Sequence, residues 1–265
     1  MSTWILLRGL TRETRHWGRL PALLGAAAST TPAAARMLTL DLPGNGACAA
    51  LHAPLTVEEM VTFVRRAAVQ QGARPPYRVL AMSLGGMVAT AWAQAHADEI
   101  ERLVLINTSM RPFSHAWERL RPQRWSDLVR LAVCWRDARA AEPLIHRITC
   151  NERNSGNAFD ADLADWIAIR ESAPVSRGNA LRQLVAAARF RAAWRAPACP
   201  LLLLSSRQDR LVNPACSASL AAAWNARHLQ HASAGHDLPH DDPEWTSAVI
   251  GSWLAERAAS PLHSG

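Results

Sequence analysis

A serine between a short apolar run and a helix of small residues is the side chain best suited to chemistry. The run is Tyr77–Ala91, YRVLAMSLGGMVATA, with Ser83 near its centre. A serine on a sharp strand-to-helix turn is typical of acyl-transfer enzymes, because the strained turn lifts the hydroxyl clear of the sheet. Ala81 and Gly85 are the small neighbours that such a turn needs, although Ala81 stands where the pattern usually has glycine. The alternative is that Ser83 only caps the N-terminus of the helix.

Two further polar residues follow predicted strands in an order that suits a catalytic triad. Pro200–Ser206 is an apolar run of buried-strand length, and Asp209 lies in the loop after it. A weaker strand signal at 227–230 leads to His236. The carboxyl ends of parallel strands meet at one crevice, so distant loops can place these groups together. The order Ser…Asp…His predicts that Ser83 attacks a carbonyl, His236 takes its proton and Asp209 orients the histidine.

These residues and two further segments resemble the α/β-hydrolase fold family. Trp4–Gly9, WILLRG, is similar to the strand before the family's oxyanion loop, where the family usually has His-Gly. Arg36–Gly46, RMLTLDLPGNG, is similar to the next strand and its Asp-x-Pro-Gly-x-Gly turn. The resemblance covers residues 2–110 and 196–257. It implies an α/β protein with a mostly parallel sheet of about six strands flanked by helices.

Plainer alternatives exist for the acid and the base. Asp209 could be a turn aspartate that only caps the helix after it. His231 or His240 could replace His236, although Gly235-His236 matches the family pattern better than either. Asp237, directly after His236, is expected to face away from the site.

The resemblance also implies an oxyanion hole built from two backbone N–H groups. Leu10, after the first predicted strand, and Leu84, directly after the serine, would supply them. Because both act through the backbone, their side chains carry little information. Arg8 stands where the family generally has histidine. It either pairs with a nearby carboxylate or binds an anionic group of the substrate.

Composition limits the class of protein. The chain has 265 residues, 49% of them hydrophobic, which suits one large α/β domain with an insertion. It shows no N-terminal signal pattern and no apolar run near the roughly 20 residues of a membrane span. Five cysteines without a C-x-x-C pair predict reduced thiols and a cytoplasmic location. No cofactor or metal is expected, because Pro239 argues against one helix presenting both His236 and His240 to an ion.

Basic charge is concentrated in one segment. Residues 111–195 hold 15 arginines and nine acidic residues, which leaves +6 of the chain's net charge of +7 there. Their apolar spacing predicts four or so helices, broken near Asn151–Asn157 and Ala173–Arg177. In the α/β-hydrolase family, an insertion after the strand that the family counts as its sixth is a helical cap over the active site. The predicted division is therefore a core of 1–110 and 196–265 with a cap of 111–195.

Side chains near the predicted serine and in the predicted cap are candidates for binding substrate. An arginine fork suits a carboxylate or phosphate, whereas in a chain without lysine the cap arginines could equally be a solvated face. Nucleic acid is not expected as a partner, because no recognised binding motif is present. The candidates are Arg8, Trp17, Arg119, Arg121 and Arg124.

These inferences predict a serine hydrolase that cleaves a small carboxylic ester or thioester through an acyl-enzyme. The chain is similar to pimeloyl-acyl-carrier-protein methyl ester carboxylesterases, which implies an acidic acyl carrier protein as a partner for the basic cap. Two alternatives stay open: a lyase of the menaquinone-biosynthesis type that abstracts a proton with the same triad, and a ligand receptor with little turnover. Serine at position 83 excludes the family branches that use an aspartate nucleophile.

Overall fold

A six-stranded parallel sheet forms the centre of the molecule. The computed structural model describes residues 2–28, 35–151 and 157–259. The order of the strands across the sheet is β2-β1-β3-β4-β5-β6, and every neighbouring pair is parallel. The strands are β1 (Thr3–Leu7), β2 (Arg36–Leu40), β3 (Tyr77–Met82), β4 (Ile100–Ile106), β5 (Leu201–Ser206) and β6 (Arg227–His231). The predicted parallel sheet of about six strands is confirmed.

Helices cover both faces of this sheet and explain its nearly continuous apolar strands. They are α1 (Leu20–Ala28), α2 (Val57–Gln70), α3 (Leu84–Ala95), α4 (Ala116–Arg119), α5 (Trp125–Cys134), α6 (Ala138–Thr149), α7 (Asn157–Ser172), α8 (Arg177–Arg189), α9 (Ala215–Trp224), α10 (Leu238–Asp241) and α11 (Pro243–Ala259). Short 3₁₀ helices occupy Thr14–Trp17, Gly46–Cys48, Ala97–Glu99 and Pro122–Arg124. Helices α2, α3 and α9 pack on one face, and α1 and α11 pack on the other. A parallel strand buried on both faces needs apolar residues at successive positions, as the run LLLL of β5 supplies.

The first helix begins later than its sequence predicts. The apolar pattern predicts a helix from Trp17, but Thr14–Trp17 forms a 3₁₀ turn and α1 starts at Leu20. Gly18 separates the two with a φ of +51°, a conformation that favours glycine and ends the turn.

The segment between β4 and β5 is helical and has its own small core. It contains α4 to α8, one more helix than the four or so expected, since the sequence signal of four-residue α4 is weak. Leu131, Trp135 and Trp166 lie in this core. Of the two predicted breaks, the second separates α7 from α8, whereas most of Asn151–Asn157 lies outside the described residues. Among the helices described, none has both the length and the apolar character to cross a membrane.

Candidate active site

Ser83 occupies a strained turn between β3 and α3. Its φ is +72° and its ψ is −109°, a combination that costs free energy in a residue with a side chain. Its backbone N–H donates to the carbonyl of Ile106 at 3.1 Å, which ties the turn to β4. Met82 ends the strand and Leu84 begins the helix, so Ser83 is the only linking residue between these two elements. This geometry points the serine out of the sheet at its carboxyl edge.

Close approach of α3 to β1 explains why position 85 must be glycine. A Cβ on Gly85 would lie 2.6 Å from the carbonyl oxygen of Arg8 and closer still to that of Leu7. Gly9 is also constrained, because a Cβ there would lie 3.1 Å from the Cβ of Ser83. The small residues of this motif therefore let two backbones and the serine meet at one point.

His236 and Asp209 complete a chain of hydrogen-bonding groups with the serine. The Nε2 atom of His236 is 3.2 Å from Oγ of Ser83, and its Nδ1 atom is 2.7 Å from Oδ2 of Asp209. The other carboxylate oxygen accepts the backbone N–H groups of Leu211 and Val212 at 2.8 and 2.9 Å. Asp209 is thus fixed by its own loop and presents one oxygen to the histidine. The structure brings together the three residues that the sequence order predicts.

The surroundings of His236 favour its protonated form. Burial disfavours the imidazolium, but the charge and hydrogen bond of Asp209, with the nearby charge of Asp237, raise the pKa of His236 above its ordinary value of 6.5. A histidine whose conjugate acid is stabilised in this way accepts a serine proton more readily.

Asn107 anchors the loop that carries the histidine, a role that the sequence did not reveal. Its side-chain N–H groups donate to the carbonyl of His236 at 2.7 Å and to Oγ of Ser206 at 3.0 Å. Its Oδ1 accepts the backbone N–H of Ser206 at 2.9 Å. Asn107, at the end of β4, therefore ties the end of β5 to the loop that carries His236.

A small cavity of about 110 Å³ lies beside Ser83 and His236. Gly9 and Leu10 line it from the loop after β1. Leu84 is the first residue of α3, where a backbone N–H has no partner within the helix. Apolar side chains from the inserted helices and the β5 loop form the remaining wall, namely Leu128, Leu131, Trp135, Ile145, Ile148 and Leu211. The cavity thus combines a mostly apolar wall with backbone near the serine.

Arg8 and Asp237 form a buried ion pair at this cavity. Two guanidinium nitrogens of Arg8 donate to the two carboxylate oxygens of Asp237, at 3.0 and 2.5 Å. Both residues line the cavity, so the expectation that Asp237 faces away is wrong. Although burial opposes ionisation of Asp237, Arg8 outweighs it and lowers the pKa of that carboxyl. Trp17 lies beneath the guanidinium, with Arg8 Cζ 4.9 Å from its ring centre, and does not line this cavity.

Three arginines from the segment between β4 and β5, for which the sequence predicted substrate roles, do not line the cavity. Arg119 donates to the carbonyl of Ala187, and Arg121 donates to the carbonyl of Asp209 at 2.9 Å. Arg124 donates to Asp127 at 3.2 Å. Each guanidinium therefore binds the protein's own oxygen atoms, and the hydrogen bond of Arg121 supports the loop that carries Asp209.

Within the described ranges, potential metal ligands gather at His146, Cys150 and His240. None of the three belongs to the Ser83–His236–Asp209 chain. In the sequence, His240 lies four residues after His236. The fold places it beside His146 of α6 and Cys150, the residue that follows that helix.

Comparisons with known proteins agree with this architecture. A family model described as "Alpha/beta hydrolase family" matches residues 4–249. A stretch of 63 residues is 36% identical to RutD of Pantoea ananatis (strain LMG 20103), which is named as a carbamate hydrolase, and covers 23% of each chain. The structure of the enol-lactonase from Burkholderia xenovorans LB400 is similar over 98% of this chain and 92% of that one, with 20% identity and a TM-score of 0.71. An esterase from Thermogutta terrifontis is similar over 97% of this chain and 90% of that one, with 21% identity and a TM-score of 0.70.

Proposed function

The chain belongs to the alpha/beta hydrolase family, and we propose that it is a serine hydrolase that cleaves a small carboxylic ester or thioester. The observation that carries this proposal is the hydrogen-bonding chain from Ser83 through His236 to Asp209, with links of 3.2 and 2.7 Å. Serine on a strained turn, a histidine within reach of its hydroxyl and a buried acid behind that histidine are the groups that acyl transfer requires.

Acylation uses each member of this chain in turn. His236 takes the proton of Ser83 as Oγ attacks the carbonyl carbon, and Asp209 stabilises the imidazolium that forms. The tetrahedral intermediate collapses when His236 gives this proton to the leaving alkoxide or thiolate. The acyl group then remains on Ser83 as an ester.

Deacylation repeats these steps with water as the nucleophile. His236 removes a proton from water, and the resulting hydroxide attacks the acyl carbon. The proton returns to Ser83 Oγ as the acid product leaves. The catalytic groups end in their starting protonation states, so no cofactor is required for turnover.

Two backbone N–H groups are proposed to stabilise the oxyanion of both tetrahedral intermediates. Leu84 supplies one from the first turn of α3, where the helix dipole also favours negative charge. Leu10 supplies the other from the loop that lines the cavity. A donor of this kind contributes roughly 10²–10³-fold to the rate of acyl transfer.

The cavity favours a short and uncharged acyl group. Its volume of about 110 Å³ is below the roughly 300–1,000 Å³ of sites for drug-sized ligands. Its fixed cation, Arg8, is already neutralised by Asp237, so an additional carboxylate finds no unpaired charge at that position. We therefore propose a small-molecule substrate and do not extend the proposal to an acyl carrier protein, because Arg119, Arg121 and Arg124 already bind protein oxygens.

The lyase alternative requires arginines that hold substrate carboxylates. The two arginines at this cavity are engaged, Arg8 by Asp237 and Arg12 by Glu142 at 2.8 Å. This arrangement favours ester hydrolysis over the lyase reaction. A receptor without turnover differs from both in having no need for an activated serine.

We also propose that the protein is located in the cytoplasm. None of the five cysteines forms a disulfide bond, which supports a reducing compartment.

Covalent labelling tests whether Ser83 is activated. A fluorophosphonate probe should modify the wild-type chain once, on the peptide that contains Ser83, and should not modify Ser83→Ala. Ser217→Ala, which removes another buried hydroxyl, is the matched control and should label like the wild type. A wild-type protein that stays unlabelled would contradict the serine hydrolase and favour the receptor.

A further inference from the structure

Two histidines and one cysteine converge where the inserted helices meet the loop of His236. His146 lies in the last turn of α6, and Cys150 is the residue that follows the helix, with its backbone N–H donating to the carbonyl of His146 at 2.8 Å. His240 lies on the short helix α10. One potential ligand atom from each of the three lies within 4.8 Å of those of the other two. His146 and Cys150 are buried, and His240 is half-buried.

We propose that His146, Cys150 and His240 bind a zinc ion. A thiolate and two imidazoles form a ligand set that zinc prefers, whereas magnesium and calcium prefer oxygen ligands. In a tetrahedral site with Zn–N and Zn–S bonds of about 2.0–2.3 Å, ligand atoms lie roughly 3.3–3.8 Å apart. The ligand atoms, which lie within 4.8 Å of one another, therefore need to close by at most about 1.5 Å to reach this geometry.

A carboxylate stands beside one proposed ligand. Oδ2 of Asp162 lies 3.2 Å from Nε2 of His240. Carboxylates that contact metal-bound imidazoles fix the ring and raise its affinity for the ion. Asp162 comes from α7, so its position at His240 depends on the fold and not on sequence proximity.

An open groove gives the proposed site an entry path. Its volume is about 750 Å³, and Asp162, Trp166 and His240 are among the residues that line it. Three protein ligands leave one position of a tetrahedral zinc ion for water from this groove. His146 and Cys150 do not line the groove, so the ion would enter from the side of His240.

Binding has a definite proton balance. The Cys150 side chain must lose its thiol proton to bind zinc as a thiolate. Zinc takes the place of the thiol proton, which passes to solvent, and forms the Zn–S bond. The two histidines bind as neutral imidazoles. Affinity should therefore fall at acidic pH, where protons compete for all three ligands.

The ion would fasten α6 to the loop of the proposed base. Hydrogen bonds already join these parts, since the N–H of Asp237 donates to the carbonyl of Thr149 at 2.7 Å. The N–H of Asn151 donates to Oδ2 of Asp241 at 2.9 Å. His240 follows His236 by four residues, so zinc at this junction should stiffen the histidine loop without contacting Ser83. The ion is proposed to hold these parts of the chain together and takes no part in the acyl-transfer steps.

The plainer explanation is that the three side chains are part of a packed aromatic cluster. The ring centre of Trp166 lies 5.0 Å from that of His146 and 4.9 Å from that of His240. Ring packing explains two histidines in this place, and Cys150 Sγ lies 3.6 Å from Oγ1 of Thr149, but neither contact requires a thiol within reach of both imidazoles. Metal binding and simple packing therefore differ in what they predict for Cys150.

Cobalt and zinc titrations of the full chain, without a histidine tag and after treatment with a chelator, test the proposal. Wild type should bind one ion per chain with a thiolate-to-cobalt charge-transfer band, and zinc should abolish the band and raise the melting temperature. Cys150→Ser should lose the band. Cys216→Ser, which alters another buried thiol, should keep it. Asp162→Asn should bind about 10–100-fold more weakly.

Three outcomes would overturn the zinc site. These are a wild-type protein that binds no metal after chelator treatment, a Cys150→Ser variant that binds as tightly as wild type, and bound cobalt without a charge-transfer band. The wild-type titration needs no variant, so a substitution that fails to fold does not remove the test. Since none of these readouts is esterase activity, they are separate from the test of the proposed function.

Discussion

Arg8 and Asp237 face each other through two hydrogen bonds next to the proposed catalytic base. The guanidinium and the carboxylate are both almost fully buried, and the shorter of the two contacts is 2.5 Å. Asp237 follows His236 directly in the chain. A buried charge pair in this position affects both the stability of the fold and the charge around the base.

Removing one member of this pair should strongly destabilise the protein. Arg8→Met leaves the Asp237 carboxylate buried without its partner, which costs about 3–5 kcal/mol of unfolding free energy. The double variant Arg8→Met/Asp237→Leu should recover part of that loss, because no unpaired charge remains. Denaturant unfolding measures the free energy of unfolding of the single and the double variant. As a control, Arg227→Ala breaks the exposed pair with Glu256 and should cost at most about 1 kcal/mol. If Arg8→Met and Arg227→Ala lost the same unfolding free energy, the predicted effect of the buried pair would be contradicted.

The pH dependence of turnover should reflect the raised pKa of His236. The base must be neutral to accept a proton, so kcat/KM should rise with pH through a midpoint above 6.5. Asp237→Asn removes a negative charge that favours the imidazolium, so the midpoint should move to lower pH. The positive charge of Arg8, which then has no partner, should also lower the midpoint. Asp98→Asn, far from the site on Ala97–Glu99, should leave the profile unchanged. An unchanged or higher midpoint in Asp237→Asn would count against this electrostatic coupling.

The contact between α3 and β1 predicts different outcomes for two glycine substitutions. Gly85→Ala places a methyl group against carbonyl oxygens that belong to the backbone and cannot rotate away. We expect a loss of about 1–3 kcal/mol in unfolding free energy, together with lower activity because Ser83 shifts. Gly178→Ala adds the same group in α8, where it would lie 3.7 Å from Oγ of Ser176, an ordinary contact distance. That control should be neutral or gain up to about 1 kcal/mol. A Gly85→Ala protein as stable as the control would refute the steric argument.

The size of the cavity predicts the preferred acyl chain. Leu131 lines the cavity from α5, so Leu131→Ala should shift the optimum in a series of p-nitrophenyl esters towards longer acyl chains. The added space should lower KM for the longer esters more than for acetate. Val133→Ala is a suitable control on the same helix, since its side chain is 77% exposed. An optimum that moves equally in both variants would place acyl binding elsewhere.

The sequence predicted the sheet well because its signals are local. Four apolar runs begin or end close to where β1, β2, β3 and β5 do, and Ser83, Asp209 and His236 follow β3, β5 and β6 in the chain. The exact ends of the strands were harder to predict from the sequence. The first strand stops at Leu7, two residues before the apolar motif ends, because the chain must turn there towards Ser83.

What the sequence could not supply depends on contacts across the chain. Arg8 and Asp237 are 229 residues apart, so no local pattern links them. Asn107 stabilises the loop of His236 from 129 residues away. The group of His146, Cys150 and His240 likewise forms only when α6 docks on the loop after β6. These partners become visible when the fold sets which loops share an edge.

Ester hydrolysis by the wild type and Ser83→Ala, measured from p-nitrophenyl acetate to decanoate, tests most directly whether Ser83 is the nucleophile. The wild type should turn over short esters, and the variant should lose on the order of 10⁶-fold in kcat. The variant should keep its melting temperature, since only an oxygen atom is removed. A Ser83→Ala protein that retains most of the wild-type turnover would contradict the assignment of Ser83 as the nucleophile.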